Sequence, residues 1–127
     1  MKKPLIYVIE DDRDMSELLT NYLKRIAEVK KFYNAISAVN NIDEDNPSLI
    51  LLDILLDGPD GFTFLNEIMS YQKTAKIPII LITSLEIGAK EDLIYYGVVE
   101  ILNKESKTPD EIREVKEKWI DRNVKNN

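Results

Sequence analysis

Four short apolar runs constrain the fold of this chain more than any other feature: Leu5–Ile9, Leu49–Leu52, Ile77–Ile82 and Val98–Leu102, the last interrupted only by Glu100. A strand with one face in water alternates apolar and polar residues, whereas a strand covered on both faces is apolar throughout. These runs are too short for buried helices and therefore predict central strands of a parallel sheet. Val29–Tyr33 is a fifth, weaker strand candidate.

Helical patterns lie between the runs. Met15, Leu18, Leu19, Tyr22, Leu23 and Ile26 form an i, i+3, i+4, i+7 stripe, with Asp14 and Glu17 as a capping-box start. Ala35–Ile42 reads as a second helix. Phe62, Leu65, Ile68 and Met69 mark a third behind an Asp60 cap, and a fourth runs from Ile87 to Tyr96 and stops at Gly97. Thr108, Pro109 and Glu111 open a last helix that carries Ile112, Val115 and Trp119. Five β-α alternations predict an α/β fold, a doubly wound parallel sheet with right-handed crossovers. Residues 1–123 are expected to form one domain, followed by a polar tail over 124–127.

Composition removes several chemistries. The chain has neither cysteine nor histidine, so thiolate nucleophiles, Ser-His-Asp triads and ordinary zinc sites are excluded. Its net charge of −6 argues against direct contact with nucleic acid or anionic lipid. Only six residues separate Met1-Lys2-Lys3 from Glu10, too few for a signal peptide, and no apolar run approaches a membrane span. The expected location is the cytoplasm.

In such a sheet, functional groups gather at the carboxyl ends of the strands. The first strand runs into Glu10, Asp11 and Asp12, the third into Asp53, the fourth into Thr83 and Ser84, and the fifth toward Lys104. Clustered carboxylates repel one another unless protons or a cation intervene. An all-oxygen donor set suits Mg²⁺, which readily shares its coordination sphere with phosphate. A lysine and a hydroxyl nearby complete a set suited to phosphoryl transfer onto a carboxylate. Asp53 stands out because it follows Leu49-Ile50-Leu51-Leu52 and precedes Ile54-Leu55-Leu56, where a charge is costly without a purpose.

Taken in order, Val8-Ile9-Glu10-Asp11-Asp12, Leu51-Leu52-Asp53-Ile54 through Asp60-Gly61, Ile80-Leu81-Ile82-Thr83-Ser84 and Asn103-Lys104 resemble the response-regulator receiver family over nearly the whole chain. The resemblance implies a flavodoxin-like (βα)5 sheet with strand order 2-1-3-4-5. It implies Asp53 as phosphoacceptor, Thr83 as switch hydroxyl and Lys104 as the cation facing the phosphoryl group. It also implies Mg²⁺ held by Glu10, Asp11, Asp53 and the backbone carbonyl of Leu55. Glu10 and Asp11 are chosen over Asp11 and Asp12 because Met15 matches the first buried position of the family's first helix. The implied partners are a sensor histidine kinase or phosphotransfer protein and an unknown downstream protein. The domain would be regulatory and would catalyse only its own phosphorylation and dephosphorylation.

Three positions depart from the family pattern: Glu105 stands where proline is usual, Ile101 where an aromatic is common, and Asp57 where the loop usually has proline. Leu55 and Leu85 occupy two positions that influence attack by water, and neither side chain can orient one, which implies slow loss of the phosphoryl group. Two other readings compete. One is a phosphorylation-independent docking module of receiver type. The other is a haloacid-dehalogenase-like phosphatase using Asp12 and Asp14, for which the chain is short and Asp53 would have no purpose.

Overall fold

A computed structural model of the chain describes residues 3–53, 61–83 and 97–103, with only the backbone of Phe62, Thr83 and Asn103. The elements run β1 (Leu5–Ile9), α1 (Arg13–Leu23), β2 (Glu28–Phe32), α2 (Ala35–Asp45), β3 (Leu49–Leu52), α3 (Gly61–Met69), β4 (Ile79–Thr83) and β5 (Val98–Asn103). All neighbouring strands pair in parallel, in the order β2-β1-β3-β4-β5. This is the doubly wound, flavodoxin-like sheet expected from the sequence. The expected helices Ile87–Tyr96 and Thr108–Trp119, and the Asp60 cap, lie outside the described residues.

Period-two alternation divides the core between the two faces of the sheet. Ile6, Val8, Leu49, Leu51, Ile80 and Ile82 pack with Leu19 and Leu23 of α1. Tyr7, Ile9, Ile50, Leu52, Ile79 and Leu81 turn the other way, onto Ala38 and Ile42 of α2 and Phe64 and Ile68 of α3. Apart from Thr83 at the end of β4, the inner strands are built of apolar and aromatic residues because both faces are covered. Each fully buried Leu or Ile contributes about 1.5–3 kcal/mol by leaving water.

Several boundaries differ from the sequence reading, each for a physical reason. The α1 cap is Asp12, not Asp14: its Oδ1 accepts from the Asp14 and Met15 amides at 2.9 and 3.2 Å. The buried line of α1 is Ser16-Leu19-Leu23, while Leu18 is 40% exposed. A serine at the start of the buried line hid its true direction. β4 begins at Ile79 rather than Ile77, because Pro78 has no amide to donate and the Ile77 amide turns back to the Thr74 carbonyl. β2 runs from Glu28 to Phe32, one residue earlier than read, and β5 extends to Asn103. α2 continues to Asp45 and stops where Asn46 takes the left-handed conformation (φ 46°), its amide closing on Ile42. Gly97, at φ 82°, turns the chain into β5 in a conformation that strains any other residue.

A polar clasp joins α2 to the sheet. Tyr7, wholly buried with its ring tilted against that of Phe32 at 4.6 Å between centroids, donates its hydroxyl to Asp45 Oδ2 at 2.5 Å. Lys30 Nζ donates to the same oxygen at 2.8 Å. Burial first, and the Asp45 carboxylate second, push the Tyr7 hydroxyl far above the usual phenol range. The hydrogen bonds from Lys30 and Tyr7 hold Asp45 below the usual carboxylate range. On the other face, Lys31 pairs with Glu17 of α1. No helix among the described residues is long and apolar enough to cross a membrane.

Candidate functional site

Strand register brings the acidic groups together. Ile6 pairs with Leu49 and Val8 with Leu51 across β1 and β3, so continuing by two residues sets Glu10 beside Asp53. By the same alternation both side chains turn to the α1 face. Backbone bonds extend the ladder past the strand ends: the Glu10 amide donates to Phe32 O at 3.0 Å, and the Asp53 amide to Ile9 O at 3.0 Å. Two stretches far apart in sequence thus deliver carboxylates to one edge of the sheet.

One carboxylate oxygen from each of Glu10, Asp11 and Asp53 lies within 4.8 Å of the others. Glu10 is 1% and Asp53 5% exposed, while Asp11 is half-buried. Both buried carboxylates border a small recess floored by Leu19, Leu51 and Ile82. Carboxylates held this close and this dry repel strongly, and a divalent cation is the natural counter-charge. The donor set is all oxygen, which fits a hard cation and not zinc or copper.

Asp12 stands apart from this cluster. Its carboxylate is committed to the α1 cap, which separates it from the two acidic residues before it, and among the described residues neither Asp12 nor Asp14 joins an acidic cluster. Thr83 ends β4 at the same edge, its backbone in register with Asn103 of β5, immediately before Lys104. Leu55, Lys104, Leu85, Asp57 and Glu105 lie outside the described residues. The sequence reading did not single out Arg13, whose guanidinium sits 4.4 Å from the centre of the Tyr33 ring. That pair joins the first turn of α1 to the end of β2, a contact that only the strand order reveals, and it adds a cation near an acidic rim.

Fold and carboxylate cluster together define a receiver-type domain, and comparison with known proteins agrees. The sequence model of the response regulator receiver domain matches residues 6–116, and the chain belongs to that family. Among its relatives is the transcriptional regulatory protein GltR of Pseudomonas aeruginosa, 32% identical over an alignment of 99 residues that covers 69% of this chain and 41% of that protein. The regulatory protein VanRc of Enterococcus gallinarum is 31% identical over 80 residues, 62% of this chain and 33% of that protein. The chain therefore spans less than half the length of these relatives. A CheY-like receiver domain from Methanospirillum hungatei shares the fold with a TM-score of 0.86 at 18% identity, over 99% of this chain and all of that one.

Proposed function

We propose that this receiver domain is a phosphorylation switch whose phosphoacceptor is Asp53. The observation that carries this reading is the convergence of the Glu10, Asp11 and Asp53 carboxylates at the carboxyl edge of the sheet. Glu10, Asp11 and Asp53, with the Leu55 backbone carbonyl, would hold Mg²⁺. The ion would neutralise charge on the incoming phosphoryl group.

The remaining work belongs to the chain's own groups. An Asp53 carboxylate oxygen attacks the phosphorus of a phosphohistidine on a sensor kinase or phosphotransfer protein. A P–O bond forms, the P–N bond breaks, and the departing imidazole keeps the electron pair and takes a proton. The backbone bond from Asp53 to Ile9 fixes the nucleophile's direction before the partner arrives. The Lys104 ammonium pairs with one phosphoryl oxygen, and the Thr83 hydroxyl moves to bind another. That movement shifts the balance between two preexisting states of the surface around β5 and the helices expected at Ile87–Tyr96 and Thr108–Trp119, where a downstream protein reads it. Leu55 and Leu85 keep water from being oriented toward the acylphosphate, whose lifetime then exceeds seconds in purified protein with Mg²⁺. The switch works in the cytoplasm without touching nucleic acid or membrane itself; GltR is named a transcriptional regulator, and transcription is the output class we assign.

A second reading, a docking module that ignores phosphorylation, draws on Glu105 and Ile101. Beryllofluoride with Mg²⁺ separates the two. Amide shifts around Asp53 in the parent protein, absent in Asp53→Asn, support the switch. A silent spectrum supports the docking module.

A further inference from the structure

The face of the molecule built by α2 and α3 has no part in phosphoryl transfer, yet it carries the features of a binding groove. Two shallow depressions, one mainly apolar and one of mixed lining, lie between the helices. One, of about 200 Å³, is walled by Ala35, Ile36, Val39, Phe64 and Glu67. The other, of about 100 Å³, is walled by Ile42, Asp43, Ile68 and Tyr71 and shares Val39 and Glu67 with the first. Shared walls make them one groove.

Large apolar side chains seldom stand in water without a reason when they sit beside one another in a groove. Ile36 is 56% and Tyr71 57% exposed, one beside each depression. The eight residues from Ile36 to Asp43 rise about 10 Å along α2 at 1.5 Å per residue. That is two helical turns, the distance over which a docked helix presents anchors at i, i+4 and i+7.

Charge selects the occupant. Glu67 and Asp43, both exposed, stand on the walls, and among the described residues no cation lines either depression. Nearby Lys73 donates to the Asp43 carbonyl at 2.8 Å, and Lys30 is paired with Asp45. A second copy of this chain would bring a net charge of −6 against an acidic rim. We propose that the α2–α3 groove docks a basic amphipathic helix of a partner protein, apolar residues in the groove and lysines or arginines over Glu67 and Asp43. The groove lies on the α2–α3 face of the sheet, whereas Glu10 and Asp53 turn to the α1 face, so one protein can hold the domain here while another exchanges phosphate at Asp53.

Amide spectra of the full chain test this with two synthetic helical peptides. Both carry leucines at i, i+3, i+4 and i+7; one has lysine and the other glutamate at the remaining positions. The lysine peptide is expected to produce saturable shifts at Ile36, Val39, Thr63, Glu67 and Tyr71, unchanged in Asp53→Asn, while the glutamate peptide produces none. Ile36→Asp weakens the lysine peptide about tenfold, as loss of an anchor residue does, and Glu67→Lys shifts preference toward the glutamate peptide. Both residues are exposed, so neither variant threatens the fold. Shifts centred on Glu10 and Asp11, an equal response to both peptides, or no saturable response would each overturn the proposal. So would concentration-dependent shifts of the same residues in the chain alone, which would assign the groove to a second copy.

Discussion

Replacing Asp53 with asparagine should make the metal-free protein more stable. Carboxylate oxygens of Glu10, Asp11 and Asp53 lie within 4.8 Å of one another. Two unit charges at that distance repel by about 3 kcal/mol at an effective permittivity of 20, and by about 1 kcal/mol at that of water. Asp53→Asn removes two of the three pairwise repulsions. The pair with buried Glu10 lies nearer the larger figure, and the pair with half-buried Asp11 nearer the smaller. Neighbouring charges and relaxation offset part of this, leaving an expected gain of about 2 kcal/mol. With a urea slope of about 2 kcal/mol per molar, the midpoint rises by about 1 M. The assay is urea unfolding followed by circular dichroism, at neutral pH and low salt, with EDTA or with Mg²⁺. Magnesium at a hundred times its dissociation constant should stabilise the parent by about 2.7 kcal/mol and the variant by much less, narrowing or inverting the gap. An Asp53→Asn protein no more stable than the parent in EDTA, or stabilised equally by Mg²⁺, would refute the idea that these groups form one mutually repelling cation site.

Three further outcomes follow from the packing. Asp12→Ala should cost about 1 kcal/mol through loss of the α1 cap and leave Mg²⁺ affinity, measured by calorimetry, near that of the parent; a loss as large as that of Asp11→Ala would put Asp12 in the metal site. Ser16→Ala should stabilise by about 1 kcal/mol, because the Ser16 hydroxyl is fully buried without a hydrogen-bond partner among the described residues; a lower melting temperature would mean that the hydroxyl is satisfied in solution. Tyr7→Phe should destabilise by about 1–2 kcal/mol at pH 7, by removing a donor to a carboxylate. The folded Asp45 carboxyl is held below its ordinary 3.8, so its contribution is present above that pH and fades as pH falls through the folded value. Stability curves of parent and Tyr7→Phe should therefore converge below pH 4. The raised Tyr7 value has the opposite sense: the parent loses stability as pH rises past 10, a limb that Tyr7→Phe lacks.

The sheet and the site were legible in the sequence to different depths, for reasons that particular residues show. Leu49–Leu52 and Leu5–Ile9 announced themselves because a strand covered on both faces can carry no polar residue. Once those strands are adjacent, period-two alternation puts Glu10 and Asp53 on one face, so the carboxylate convergence was within reach of sequence reasoning. Choosing the α1 cap between Asp12 and Asp14 was not, since both are good acceptors and only the path of the chain out of β1 decides. Ser16 was missed because a polar residue on the buried face contradicts the pattern used to find that face. The Tyr7–Asp45–Lys30 clasp joins three elements whose neighbourhood depends on strand order, and no spacing in the sequence encodes it. The same holds for Arg13 over Tyr33.

Covalent chemistry at Asp53 is most directly tested by intact-mass spectrometry of the purified chain after incubation with acetyl phosphate and Mg²⁺. The expected result is one added phosphoryl group, mapping to the peptide that contains Asp53, lost when Mg²⁺ is chelated beforehand and absent in Asp53→Asn. An adduct that survives Asp53→Asn, one that maps to Asp12, or none at all in the Mg²⁺-loaded parent would contradict it.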